Sequence, residues 1–518
     1  MSRARLRPSI LALIFGVGLL PGAVDAAPGD FVEDDVQLLW QAQGEPGSQF
    51  GWAVAELPDI DGDGALAAVV GAPAHDEGDG PAGLLVVLSG RTGDELFRFN
   101  GAPGASLGYA MSDAGDVDGD GLHDIAVGAP AEASTGRVYV YSGLDGQTLL
   151  TLDGEEAGDF FGAALAGPGD IDGDGYDDVL VGAPRATPTG RAYVISGEDG
   201  STLLTLDGPA PGLRFGSATA PVGDLNGDEV PDLFVGDRDA GKDSSGRAYV
   251  LSGANGSMLF TLAGGKDSRD FGWFFVATIG DASGDGIPDL YVGDFASVAG
   301  GNNSGHLHLY SGADGSELLN VVGAGAGQGL GPGRGAGDVD GDGRPDIAGG
   351  SYISSDGAPQ AGKINLFSGT DGTILRTITS LEPGEQLGFD AVGMGDVDGD
   401  GRVDLLAAAA NGNAVYLVAG TLPKAPPPPP GGTTTGAGDE SSGGGANEGD
   451  DTSTPGNSTE VDSEPGEGGG GLTTSPAADP EEASGCSCSA STPFESPWPG
   501  VGLGLLVTVL LVTRRVRG

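Results

Sequence analysis

The sequence predicts an all-β fold, a seven-bladed β-propeller of four-stranded antiparallel blades with the last blade closed by the N-terminal strand. Three observations predict it. An acidic loop of the form D-x-[DNS]-x-D-[GE]-x-x-[DA] recurs seven times, starting at Asp59, Asp116, Asp170, Asp224, Asp281, Asp338 and Asp396, at intervals of 54 to 58 residues. A fixed period of this size marks one supersecondary unit copied around a ring or along a stack. Each repeat carries four short apolar stretches, seen between residues 160 and 208 as FGAALAGPGD, DVLVGAP, GRAYVISG and TLLTLDG. They are rich in β-branched or aromatic residues and closed by Gly, Pro or Asp, which is the pattern of strands and turns and not of a 3.6-residue helical period. The chain ends are also complementary: the seventh repeat stops at AVYLVAGTLP without a fourth strand, and Val36–Gly44 resembles the missing LLTLDG. A ring explains that exchange, whereas an open solenoid would want a polar cap at each end.

The flanks follow in order. Residues 1–26 read as a secretory signal, with Arg3, Arg5 and Arg7, an apolar run from Ile10 to Leu20, and the small-residue site Val24-Asp25-Ala26. Residues 27–423 hold the propeller. Residues 424–484 form an acidic Pro/Gly/Ser/Thr-rich stalk, with Pro426 to Pro430, twelve carboxylates and no basic residue after Lys424. Such a segment cannot bury a core and is expected to be disordered. Residues 485–518 carry Cys486 and Cys488, an apolar stretch from Trp498 to Thr513 and then Arg514, Arg515 and Arg517. One reading of this tail is a short membrane anchor held by its terminal arginines. The order of cysteine, apolar helix and basic cluster also resembles C-terminal sorting tails of the myxobacterial type, which implies attachment to the cell surface or outer membrane, or release after processing.

The formal charge of -52, from 75 acidic and 23 basic residues, argues against a nucleic-acid partner, because phosphate backbones are bound through Lys and Arg. Divalent cations are the natural partners. With both cysteines in the tail, the folded domain has no disulfide, and metal ions are the expected staple.

A hard cation such as Ca²⁺ takes six to eight oxygens, and a tight loop can supply them by alternating carboxylates with turn residues. Positions 1, 3, 5 and 9 give Asp59, Asp61 and Asp63 in the first loop, where Ala67 takes position 9. The second and third loops give Asp116, Asp118, Asp120 and Asp124, then Asp170, Asp172, Asp174 and Asp178. The fourth and fifth give Asp224, Asn226, Asp228 and Asp232, then Asp281, Ser283, Asp285 and Asp289. The sixth and seventh give Asp338, Asp340, Asp342 and Asp346, then Asp396, Asp398, Asp400 and Asp404. Repeats 2, 3, 6 and 7 should bind most strongly; Ala67, Asn226 with Glu229, and Ser283 should weaken the other three. An EF-hand is disfavoured because position 12 is Val127 or Val181 instead of a bidentate Glu. Zinc is disfavoured by the scarcity of His and Cys.

Phe161-Gly162, the loop Asp170 to Asp178 and Gly182-Ala183-Pro184 together resemble the FG-GAP repeat of integrin α-chain propellers, and Gly71-Ala72-Pro73 and Gly128-Ala129-Pro130 fit the same pattern. The resemblance covers about residues 37 to 422. It implies Ca²⁺ between the first and second strands of a blade, and a role in adhesion or extracellular binding. Blades four to seven lose Gly-Ala-Pro, and Leu107, Leu330 and Leu387 replace the Phe of Phe-Gly.

No nucleophile elbow, HExxH motif or phosphate loop is present, so the chain reads as a non-enzyme. His306 and His308 read as ordinary strand positions, and His123 as a water-exposed loop residue. The loops opposite the acidic ones, 74–82, 237–245, 294–304 and 351–361, vary most, and variable loops on a rigid scaffold are where binding surfaces tend to lie. The sequence thus predicts an exported, cell-surface-tethered, calcium-binding monomer that binds an extracellular protein or polysaccharide, with the membrane reached through its tail. An extracellular hydrolase or lyase acting on polysaccharide or lipid at the propeller face is the alternative.

Overall fold

The computed structural model describes residues 31–422 apart from 79, 212 and 213. The signal (1–26), the stalk (424–484) and the C-terminal tail (485–518) expected above lie outside the described residues.

Seven four-stranded antiparallel sheets follow one another along the chain, as the repeat period predicts. Blade three shows the plan, with strands Ala164–Gly169, Asp178–Ala183, Arg191–Ile195 and Thr202–Asp207. The last blade takes its outer strand from the N-terminus: Leu38–Gln43 pairs antiparallel with Ala414–Val418, placing Leu38 opposite Val418 and Gln43 opposite Ala414. Trp40 locks this strand. Its ring is 3% exposed, and Nε1 donates to Gly90 O of the first blade at 2.6 Å. Among the described residues the only helical piece is the 3-10 turn Lys242–Ser244.

Burial explains the hydrophobic pattern of each strand. The second strand of a blade is flanked by strands on both sides and covered by neighbouring blades on both faces. Ala67–Ala72, Asp124–Ala129 and Asp178–Ala183 are accordingly buried at every position, and the sequence runs apolar without alternation. Fourth strands such as Thr202–Asp207 lie at the rim and mix exposed with buried positions. The core is therefore a set of layers between blades. One layer joins Val138 and Val140 of blade two to Leu165 and Val181 of blade three, and another joins Val70 and Val86 of blade one to Leu406 and Val415 of blade seven.

Glycines set the distance between blades. A Cβ on Gly182 would stand 2.2 Å from Gly216 O of the next blade, and Gly216 itself has φ +86°. The glycine of Gly-Ala-Pro in one blade thus faces the glycine of Phe-Gly in the next, and only glycine permits so close a backbone approach. Beside this contact, single parallel bridges join Gly136 to Phe161 and Gly190 to Phe215.

The acidic loops all join first to second strands. The turns between third and fourth strands share their face, because Gly197 N of one such turn donates to Asp178 at 3.0 Å. Loops from second to third strands emerge on the opposite face.

Candidate metal loops and central channel

Each acidic loop folds around its own carboxylates. In blade three Asp170 Oδ1 accepts the N–H of Gly173 at 2.7 Å and of Asp174 at 3.2 Å, while its Oδ2 accepts that of Gly175 at 2.9 Å. Asp172 accepts from Asp174 N at 3.1 Å, and Asp174 from Tyr176 N at 2.9 Å. These short-range bonds hold the turn that Gly173 and Gly175 permit at positive φ. Position 9 acts differently. Asp178 is fully buried; its Oδ2 accepts Ile171 N at 2.7 Å and its Oδ1 accepts Gly197 N. It therefore ties the start of its own loop to the neighbouring strand turn. Asp124, Asp346 and Asp404 make the same pair of bonds, to Val117 and Gly143, Val339 and Gly369, and Val397 and Gly420.

The carboxylates converge in five of the loops. One oxygen from each member of Asp116/Asp118/Asp124, Asp170/Asp172/Asp178, Asp338/Asp340/Asp346 and Asp396/Asp398/Asp404 lies within 4.8 Å of the others. Asp120, Asp174, Asp342 and Asp400, expected as ligands at position 5, stand outside these groups and accept the N–H two residues on. In the first loop, with Ala67 at position 9, the group is Asp59/Asp61/Asp63, and Asp63 also accepts the Ser89 hydroxyl at 2.7 Å. Loops four and five form no such group among the described residues. In blade four the Asn226 amide donates to Asp232 at 2.9 Å, supplying internally part of what a cation would supply. In blade five Asp281, the counterpart of Asp224, accepts the Ser283 hydroxyl at 3.3 Å beside the backbone N–H groups of Asp285 at 3.0 Å and Gly286 at 2.8 Å.

At an effective dielectric of about 20, two carboxylates this close repel by roughly 3 kcal/mol. Burial adds to the strain: it pushes Asp124 and Asp178 up to about 6, against the pull of their backbone N–H partners. A set of hard oxygens gathered around a buried carboxylate fits Ca²⁺ or a similar divalent ion. The residues present fit the expected metal, and Asp118 with Asp124, or Asp172 with Asp178, would hold it.

The central channel contains charge that the repeat pattern does not announce. The position three residues before each acidic loop lines it, as Glu56, Asp113, Gly167, Pro221 and Thr278 around one chamber and Gly335 and Gly393 around a second. Arg334 also lines both chambers and pairs with Asp390 at 2.8 Å. His123, expected to be a water-exposed loop residue, is 41% exposed and also faces Asp113 at 2.8 Å. The neighbouring Ser112 hydroxyl donates to Asp113 O, so it does not complete a nucleophile–imidazole pair. On the opposite face the channel meets an aromatic cluster, in which Trp52 contacts Phe389 at 5.0 Å, Tyr109 at 5.7 Å and Phe274 at 6.0 Å between ring centres. Arg185 stacks over Phe160 at 4.2 Å and Arg238 over Trp273 at 3.5 Å.

His306 and His308 stay strand residues. They lie on His306–Tyr310 in a ladder with Tyr310, and His308 pairs with Glu317 at 3.1 Å. The loss of Gly-Ala-Pro in blades four and five also has a structural reason. Asp237 and Asp294 are fully buried and cap the preceding loop, accepting the N–H of Arg214 at 3.0 Å and of Asp270 at 3.1 Å.

A repeat family and several known proteins resemble this chain. The model of the FG-GAP repeat matches residues 112–141 and 161–195. Integrin alpha-PS2 of Drosophila melanogaster is 32% identical over 217 residues, 37% of this chain and 15% of that protein. Integrin alpha-V of Gallus gallus is 32% identical over 209 residues (36% and 20%), and integrin alpha-IIb of Homo sapiens 33% over 234 residues (40% and 22%). The match spans less than a quarter of the length of these relatives.

Proposed function

We propose that this chain, an integrin-α-like FG-GAP β-propeller, is an exported and surface-tethered binding module that uses Ca²⁺ for rigidity and performs no chemistry of its own. The convergence of three carboxylates, one of them fully buried, in loops of blades two, three, six and seven carries the calcium part of this reading. The likeness to integrin α chains supports the adhesive part. The ligand is an extracellular protein or polysaccharide, bound on the face opposite the acidic loops. On that face Arg185, Arg214 and Arg238 gather around Tyr109, whose hydroxyl burial pushes up to about 12. Asp239 pairs with Arg214 at 2.9 Å and Asp270 with Arg238 at 3.3 Å, so the attraction for a ligand that brings negative charge rests on Arg185, stacked over Phe160.

Residues 1–26 and 424–518 supply export, stalk and anchorage in this proposal. Two measurements test it. Thermal unfolding with and without chelator reads the calcium dependence, and a drop in melting temperature on chelation is expected. Arrays of glycans and extracellular proteins, run beside hydrolase and lyase substrates, read the activity. Specific retention without turnover is expected, and turnover abolished by changes in the channel would overturn the reading.

A further inference from the structure

The channel's acidic-face chamber is a cavity of about 380 Å³, within the size range of small-molecule sites. Its lining starts at Ala55, Met111 and Val276, further along the first strands than the aromatic cluster of Trp52, Tyr109 and Phe274. It extends to the acidic loops at Gly115, His123 and Asp177. A second chamber of about 270 Å³ shares Glu56, Thr278 and Arg334 with it, so Glu56 stands where the two meet.

The charge in this space is unbalanced. Glu56, Asp113 and Asp177 line the first chamber, and the one guanidinium, Arg334, is already engaged by Asp390, which is 2% exposed. Asp113 faces His123, and Asp177 accepts Asp116 N at 2.8 Å. Glu56 differs from both: among the described residues, only its own backbone N–H bonds to its carboxylate, and burial pushes the group up in spite of the attraction of Arg334. The Thr219 hydroxyl, on another wall, has no hydrogen-bond partner among the described residues but is closed off from the cavity space. An under-compensated carboxylate on the wall of a cavity that it shares with Asp113 and Asp177 calls for a donor that carries positive charge.

We propose that the central channel binds a small alkylammonium ligand, entering from the acidic-loop face and seating its ammonium group against Glu56. The apolar wall of Ala55, Met111, Leu165 and Val276 receives the methylene part. Neutral alcohols lack the charge, and anions meet three carboxylates. The ammonium can come from a free amine or from a lysine side chain of another protein, and the test separates these sources. The site is independent of what binds the opposite face.

The test uses the full chain at fixed saturating calcium, with isothermal titration of putrescine, of its diol isostere and of a lysine-bearing peptide. Putrescine is expected to bind and the diol not to bind. Glu56→Gln, which keeps shape and removes charge, is expected to weaken amine binding by about tenfold or more. Ala277→Phe fills the same cavity without replacing a charged group, is expected to abolish binding, and serves if Glu56→Gln folds poorly. Binding of the peptide alone, lost in both variants, assigns the ammonium to a protein side chain. Equal affinity of wild type and variants, equal binding of the diol, or no binding of either amine overturns the proposal.

Discussion

Replacing Asp178 by alanine separates the two tasks of this carboxylate in blade three. Without calcium, the backbone N–H groups of Ile171 and Gly197, bonded to it at 2.7 and 3.0 Å, lose their acceptor in a buried place. Each orphaned donor costs about 1–3 kcal/mol. Against this, alanine removes a carboxylate that burial pushes up to about 6, a relief of about 2 kcal/mol near neutral pH after allowance for screening. The net loss in chelator is then about 0–4 kcal/mol. Calcium adds a separate quantity. A site with a dissociation constant of about 10⁻⁴ to 10⁻³ M stabilises the fold by roughly 1.4–2.7 kcal/mol at about 10 mM free ion, and the variant forfeits that increment. Urea unfolding of wild type and Asp178→Ala, each with calcium and with chelator, measures it as a difference of differences. The control is Asp232→Ala in blade four, where Asn226 already donates to the carboxylate and the increment should be smaller. If calcium stabilises wild type and Asp178→Ala equally, within about 0.3 kcal/mol, Asp178 does not hold an ion.

Other consequences are as direct. Gly182→Ala places a Cβ 2.2 Å from Gly216 O, a backbone atom that cannot swing aside, so a loss of about 2–3 kcal/mol is expected in thermal unfolding with or without calcium; an unchanged melting temperature would refute the close packing of blades three and four. Trp40→Ala removes a ring that is 3% exposed and its bond to Gly90, which should cost about 3–5 kcal/mol. Limited proteolysis should then cut first near 31–43, and cleavage elsewhere would deny that this strand latches the ring. Asp237 is pushed up to about 6 by burial, so between about pH 4 and 6 the folded chain holds a proton that the unfolded chain has released. Its contribution to stability therefore falls as pH rises through that window. Asp237→Asn should lack this fall, and parallel stability curves for the two proteins would contradict it.

The strands, their number per blade and the acidic turns were legible because each depends on neighbours in the chain. The bonds from Asp170 to Gly173 and Gly175 span three and five residues, and the spacing of aspartate and glycine is enough to specify them. The exchange of the outer strand was legible too, since Val36–Gly44 carries the missing fourth-strand pattern. The division of labour among the aspartates was not. Position 9 looks like position 5 in the sequence, yet Asp178 bonds to a turn 19 residues away and is buried, while Asp174 bonds two residues on.

What the sequence by itself determined is the repeat and its all-β character, because these follow from local geometry and period. Only the tertiary structure decided what meets in the channel. Glu56, Asp113 and Arg334 come from three blades, and Arg334 reaches Asp390 across 56 residues. The first strand of blade six helps set this, since Leu330 to Asp338 is one residue shorter than Phe161 to Asp170. A single residue of register changes which side chain points inward, and closure of the ring fixes that register through packing between blades that no local pattern encodes.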